Sequence, residues 1–177
     1  MRIIPVGEAN IDVVLFTKEF GKITARVQSA RKQESKMRMF LTRFRLVTVD
    51  LVRGKSVWRL TGITGEPSGS FIQHEGLLNP IYRMFRLSEF LVQGEEAHPE
   101  LFQFFKKVLG FNTEYGAQSS GLEIFCVVKV LDYLGYWNGA VFPATPTQEL
   151  LEACTSNKKE LVKKINESIS ATQIMVY

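Results

Sequence analysis

The alternation of apolar and charged side chains between residues 10 and 63 constrains the fold of this chain more than any other sequence feature. Its period is close to two, which is typical of β-strands with one buried and one exposed face. The pattern predicts four strands, at residues 10–17, 22–28, 44–53 and 55–64. Because closure removes exposed sheet edges, strands of this length are expected to form a small barrel. Residues 29–42 lack the period and are expected to form a basic loop or a short helical turn.

From residue 76 the period changes to that of helices, and helix-starting residues recur. Helices are predicted at 79–94, 99–110, 122–134, 146–154 and 156–172. The segment Leu122 to Leu134 is apolar on most sides, so we expect it at the centre of a bundle. The sequence therefore predicts an α+β protein with two domains, a β-domain at 1–75 and an α-helical domain at 76–177, with connectors at 65–76 and 112–119.

Positive charge is concentrated in the predicted β-domain. The stretch from Lys18 to Arg59 holds twelve of the 22 Lys and Arg residues against three acidic ones, a net charge of +9. The rest of the chain carries −5, so the whole-chain value of +4 hides a strong asymmetry. Such asymmetry favours a polyanionic partner over a surface that is charged only for solubility.

The candidate contacts for that partner lie on strand faces and loops. Cations along a groove can neutralise phosphates, and exposed aromatic rings can stack on bases. The candidate phosphate-binding residues are Lys22, Arg26, Arg31, Lys32, Lys36, Arg38, Arg43, Arg45 and Arg59, with Arg53 and Lys55 on the same hairpin. Phe20 and Phe40 lie among these charges and are the aromatic residues expected to be exposed for base stacking.

No catalytic or metal-binding pattern is visible in the sequence. Cys126 and Cys154 are isolated, and His74 and His98 have no ligand at metal-binding spacing, so neither a metal nor another cofactor is expected. Glu95 and Glu96 precede a predicted helix, where negative charge is favourable without any acid–base role. Because no catalytic constellation is visible, a protein without enzymatic activity is expected. No segment approaches the roughly 20 apolar residues of a membrane span, so a cytoplasmic protein is expected.

The order of several short motifs resembles the RecO family of recombination mediators. The strand ending in Thr17, the turn Gly21-Lys22, the basic stretch Ala30-Arg31-Lys32 with Ser35, and the later Leu134-Gly135-Tyr136 follow the family pattern. The resemblance is good over residues 10–63, fair over 77–137 and poor afterwards. Many family members hold a four-cysteine zinc module after the Leu-Gly-Tyr motif, whereas this chain continues through residues 138–146 without a cysteine.

The resemblance implies an N-terminal oligonucleotide-binding (OB) barrel, followed by an all-α bundle, in a short form without zinc. It implies a bacterial, nucleoid-associated protein that binds single- and double-stranded DNA and anneals complementary strands. The implied partners are a RecR-like protein, single-strand-binding protein and, indirectly, RecA. An alternative function for the same basic face is RNA binding or association with the ribosome.

Overall fold

The computed structural model describes residues 2–31, 35, 37–65, 75–110 and 119–172. Five strands come first, β1 (Ile3–Val6), β2 (Asn10–Thr17), β3 (Gly21–Val27), β4 (Thr48–Arg53) and β5 (Trp58–Thr64). Five helices follow, α1 (Glu75–Leu91), α2 (Pro99–Leu109), α3 (Ser119–Tyr133), α4 (Gln148–Ser156) and α5 (Lys158–Ala171). The predicted α+β class is confirmed.

The chain divides into two compact units. The first comprises Met1–Phe71 and Gln93–Phe102, and the second comprises Ile72–Val92 and Gln103–Tyr177. The segment Gln93–Phe102, which the sequence placed among the helices, therefore groups with the strands. An independent helical domain at 76–177 remains a prediction.

The strands of the first unit form one sheet in the order β1-β2-β3-β5-β4. All neighbours are antiparallel except β3 and β5, which run parallel and pair Ala25 with Trp58 and Arg26 with Arg59. Alternate residues of β2 and β3, including Val13, Leu15, Ile23 and Ala25, are buried in the apolar core of this unit.

The strand predictions need correction at β1, β4 and β5, and β5 begins at Trp58, three residues later than predicted. The strand β1 was not predicted, because a run of four residues containing Pro5 has a weak strand signal; it lies at the edge of the sheet, where proline is tolerated. The strand predicted from Phe44 begins only at Thr48. Phe44 has φ of 58°, a left-handed conformation that does not fit a strand.

The turn between β2 and β3 depends on Thr17 and Gly21. The Thr17 hydroxyl accepts a hydrogen bond from the backbone N–H of Phe20 at 3.0 Å and donates to the Gly21 carbonyl at 3.2 Å. Gly21 has φ of 61°, and a Cβ there would lie 1.8 Å from the carbonyl oxygen of Glu96. Glycine is therefore required both by the turn and by the approach of the 93–102 segment.

An ion pair joins the exposed faces of β2 and β3. Arg26 donates two hydrogen bonds to the Asp12 carboxylate, at 2.8 and 2.9 Å, from the position directly opposite in the antiparallel register. These hydrogen bonds lower the pKa of Asp12 below its ordinary value; partial burial opposes the shift, and the positive charge of Arg26 adds to it.

In the second unit, α3 packs against α1, α4 and α5, which confirms its predicted central position. The side chains of Leu122, Phe125, Val128 and Leu131 are fully buried. The helix ends at Tyr133, and Gly135 just beyond it has a φ of 75°, which lets the Tyr136 N–H donate back to the Leu131 carbonyl at 2.8 Å. The Leu134-Gly135-Tyr136 motif thus terminates α3, with glycine at the position that needs a left-handed conformation.

Four helix starts differ from the sequence prediction, by two to four residues, including α3 at Ser119 and α5 at Lys158. The helix α1 begins at Glu75 and continues through Pro80, which was predicted to be near its start. The helix α4 begins after Thr147, whose side chain accepts the N–H of Leu150, and not at Thr145-Pro146. A threonine cap explains the later start, because it satisfies a backbone donor of the first turn.

We expect Gly21→Ala to destabilise the protein by about 3 kcal/mol, because the left-handed conformation and the overlap with Glu96 both oppose a side chain. Gly7→Ala is the matched control: Gly7 has φ of 60° but nothing within 4 Å of its Cβ position. It should cost only about 1 kcal/mol. Urea unfolding measures both variants, and equal losses would contradict a close approach at Gly21.

We expect Asp12→Asn to reduce the acid sensitivity of folding. Because the pKa of Asp12 is lowered in the folded state, its ion pair stabilises the protein fully above the ordinary aspartate pKa of 3.8. That contribution is lost as the pH falls through the lower, folded-state pKa. Urea midpoints between neutral pH and pH 3 should therefore fall less for Asp12→Asn than for the wild type. Asp50→Asn, a substitution on an exposed strand residue, should keep the wild-type profile; parallel profiles for all three proteins would refute the effect.

Candidate nucleic-acid interface

A continuous row of side chains crosses the outer face of the sheet. Because directly paired residues share a face, the strand register places Ile4, Asp12, Arg26, Arg59 and Val52 side by side, one from each strand. The parallel pairing of β3 with β5 brings Arg26 and Arg59 together, although 33 positions separate them in the sequence. The ends of the row, Ile4 and Val52, are exposed apolar residues.

The two arginines of this row have different surroundings. Arg26 is bound bidentately to Asp12, so its charge is largely compensated. Arg59 is exposed and donates to the Gln28 side-chain oxygen at 3.2 Å, a neutral partner, and it forms no ion pair within the described part of the chain. The outer row therefore offers Arg59 more readily than Arg26 to a phosphate.

The other predicted cations are distributed around the first unit. Lys22 is half-buried on the same face of β3 as Arg26. Arg31 is exposed and donates from Nη1 to the Gly7 carbonyl at 2.9 Å, beside the turn that follows β1. Arg43 is exposed in the segment before β4. Lys32 and Lys36 lie outside the described residues, and only the backbone of Arg38 is described, in a short 3-10 helix at Arg38–Phe40.

Arg45 is placed inside the first unit. Its residue is only 7% exposed, and Nη1 donates to the Met39 carbonyl at 2.6 Å. The guanidinium also lies 5.4 Å from the centre of the Phe40 ring. Arg45 therefore stabilises the loop before β4 through its contacts with Met39 and Phe40. Phe40 itself is half-buried.

Phe20 belongs to a second group, the Trp58 cluster, defined as Phe20, Arg53, Trp58 and Glu95. Phe20 is 41% exposed, which confirms the expected exposure, and its ring centre lies 4.9 Å from that of Trp58. The Arg53 guanidinium lies 4.8 Å from the Trp58 ring centre. An exposed aromatic ring and an exposed cation thus each contact one buried indole, and single-stranded nucleic acids bind to aromatic rings and cations of this kind.

Glu95 completes the Trp58 cluster from the 93–102 segment. Its Oε1 accepts the Trp58 indole N–H at 3.0 Å, and its Oε2 binds Arg53 Nη1. The same segment contributes Phe102, whose ring stacks on Phe16 of β2 with 6.5 Å between centres. Phe16 is half-buried, so the segment covers the outer face of β2 only partly at this position.

Sequence reasoning missed the partners of these cations. The Asp12–Arg26 pair could have been found, because a three-residue turn after Thr17 fixes the register that sets the two residues opposite each other. Glu95 is 42 residues from Arg53, and no local pattern connects them.

Among the described residues, no group of three or more His, Cys, Asp or Glu side chains could hold a metal ion. No helix of the described part of the chain is long and apolar enough to cross a membrane.

A family model described as "Recombination protein O N terminal" matches residues 1–66. The matched range contains all five strands and every predicted phosphate-binding residue. No curated protein matches the chain. The domain is an OB-fold, and the match supports DNA as a partner and a role in recombination and DNA repair. Over residues 1–66 of its 177 residues, the chain is therefore similar to the N-terminal OB-fold domain of the RecO recombination and repair proteins.

Proposed function

We propose that this protein is a RecO-like recombination mediator that binds single- and double-stranded DNA through its first unit and anneals complementary strands. With a RecR-like protein it would help to load RecA onto DNA covered by single-strand-binding protein, as an accessory factor without catalysis of its own. The observation that carries the proposal is that five cations of the OB-fold domain are exposed, namely Arg31, Arg43, Arg53, Lys55 and Arg59.

Phosphate contacts supply the affinity in this proposal. Each lysine or arginine that neutralises a phosphate releases a condensed counterion, so binding weakens as salt rises. These contacts read no sequence, which suits a protein that must act wherever DNA is damaged. The surface would also suit annealing, because cations reduce the repulsion between two complementary backbones.

Base stacking supplies the preference for single strands. Phe20 is the better candidate of the two predicted residues, since it is exposed, whereas Phe40 is half-buried against Arg45. A base in a duplex has both faces covered by its neighbours, so only an unpaired base can stack on Phe20. The site would then hold single strands by phosphates and bases, and duplexes by phosphates alone.

We expect Arg59→Gln to weaken binding to a labelled single-stranded oligonucleotide in fluorescence anisotropy. The slope of log affinity on log salt should fall in magnitude by about 0.7, the value for one lost phosphate contact on a single strand. Arg86→Gln is the control, because Arg86 is an exposed arginine of α1 outside the OB-fold domain. Equal slopes for the two variants would contradict a role of the sheet face. Structured RNA as a competitor tests the alternative of an RNA-binding protein, which tighter RNA binding would favour.

We expect Phe20→Leu to weaken single-strand binding by about 1 to 3 kcal/mol, because leucine keeps apolar contact with Trp58 but has no ring to stack on a base. An abasic oligonucleotide of the same length is the matched control, since it retains the phosphates. On that ligand the wild type and Phe20→Leu should bind equally. A loss of the same size on both oligonucleotides would show that Phe20 acts through protein packing and not through bases.

A further inference from the structure

We propose that Arg53 is a phosphate-binding position which Glu95 occupies in the free protein, so that a nucleic-acid strand enters the Trp58 cluster by displacing the Glu95 carboxylate. This inference rests on the proposed function and adds to it a binding position and a built-in competitor. The competitor is part of the same chain and the same compact unit as the cation that it covers.

The surface position of the pair makes the exchange accessible. The Arg53 side chain is 66% exposed and the Glu95 side chain 39% exposed, so an incoming strand can reach both groups. A carboxylate and a phosphate both present anionic oxygens that an arginine can bind through paired N–H groups. Glu95 therefore satisfies Arg53 in the way that a phosphate would.

The energetic balance also permits exchange. Solvent screens an exposed ion pair, so Glu95 is a weak competitor for Arg53. A nucleic-acid phosphate gains counterion release in addition to the ion contact, which an intramolecular carboxylate does not. Exchange should therefore favour the strand at low salt and Glu95 at high salt.

The rest of the Trp58 cluster suits a bound nucleotide. The contact of the Arg53 guanidinium with the Trp58 ring, at 4.8 Å, would keep Arg53 in place after Glu95 leaves. Phe20 packs on the same indole and exposes part of its ring. A phosphate on Arg53 would thus place the attached base near an aromatic surface.

Glu95 can change partners without releasing its segment. The Glu96 carbonyl oxygen is held against the backbone of Gly21, and Phe102 stacks on Phe16. Both contacts are independent of the Glu95 charge. A variant with a neutral side chain at position 95 should therefore remain folded, and glutamine keeps an oxygen that can accept the Trp58 N–H.

The test compares Glu95→Gln with Glu96→Gln in the full chain, by anisotropy of a single-stranded oligonucleotide against salt. The two variants change the net charge equally at adjacent, exposed positions, but Glu96 makes no ion pair among the described residues. We expect Glu95→Gln to bind about two- to fivefold more tightly than Glu96→Gln at low salt, the size of one exposed ion pair. In an Arg53→Gln background the substitution at Glu95 should have no effect beyond that of Glu96→Gln, and urea midpoints check that each variant is folded.

The outcomes separate this inference from the proposed function. If the wild type binds and the Glu95 and Glu96 variants bind equally, the competitor is refuted while DNA binding stands. If the tighter binding of Glu95→Gln persists without Arg53, the phosphate position is refuted. If no variant binds at low salt, the proposed function and this inference both fail.

Discussion

The parallel pairing of β3 with β5 is the constraint on which the first unit depends. The chain between β3 and β5 must leave the sheet and return to it. Within that connection it forms β4, which pairs with β5 and lies at the edge of the sheet. One consequence is that Trp58 lies in the core beside Ala25, while its neighbour Arg59 joins Arg26 on the outer face. A single register therefore sets both the apolar interior and the cationic exterior, and a slip of one residue would exchange them.

The segment 93–102 defines where a ligand can bind on this surface. Phe102 covers Phe16, Glu96 approaches Gly21, and Glu95 engages Arg53 and Trp58. Phe102 thus partly covers the outer face of the sheet at Phe16, whereas Glu95 contacts Arg53 and Trp58, which share the opposite face. The remaining cations lie on β5, on the β4–β5 hairpin and in the loops before and after β3, which is where the account places the phosphates.

Local patterns in the sequence predict much of this structure, and long-range contacts account for what they miss. The β2–β3 hairpin, the central α3 and the exposure of Phe20 follow from periodicity and turn residues that lie close together in the chain. The burial of Arg45 could not be predicted in this way, because Arg45 lies before the start of β4 and contacts Met39 and Phe40 of the preceding loop. The partner of Arg53 was equally hidden, since Glu95 approaches from a segment with no strand pattern. The sequence therefore predicts which residues bring positive charge to the site, but it does not predict which carboxylates pair with them.

The central claim is that nucleic acid contacts the cationic surface of the OB-fold domain and not the helices. Backbone amide chemical shifts of the full chain, recorded as a single-stranded oligonucleotide is added, test this most directly. The account predicts that the changes cluster at residues 18–31 and 53–59 and at Glu95, with α3 to α5 unaffected. Changes confined to the helices, or no changes at low salt, would contradict it.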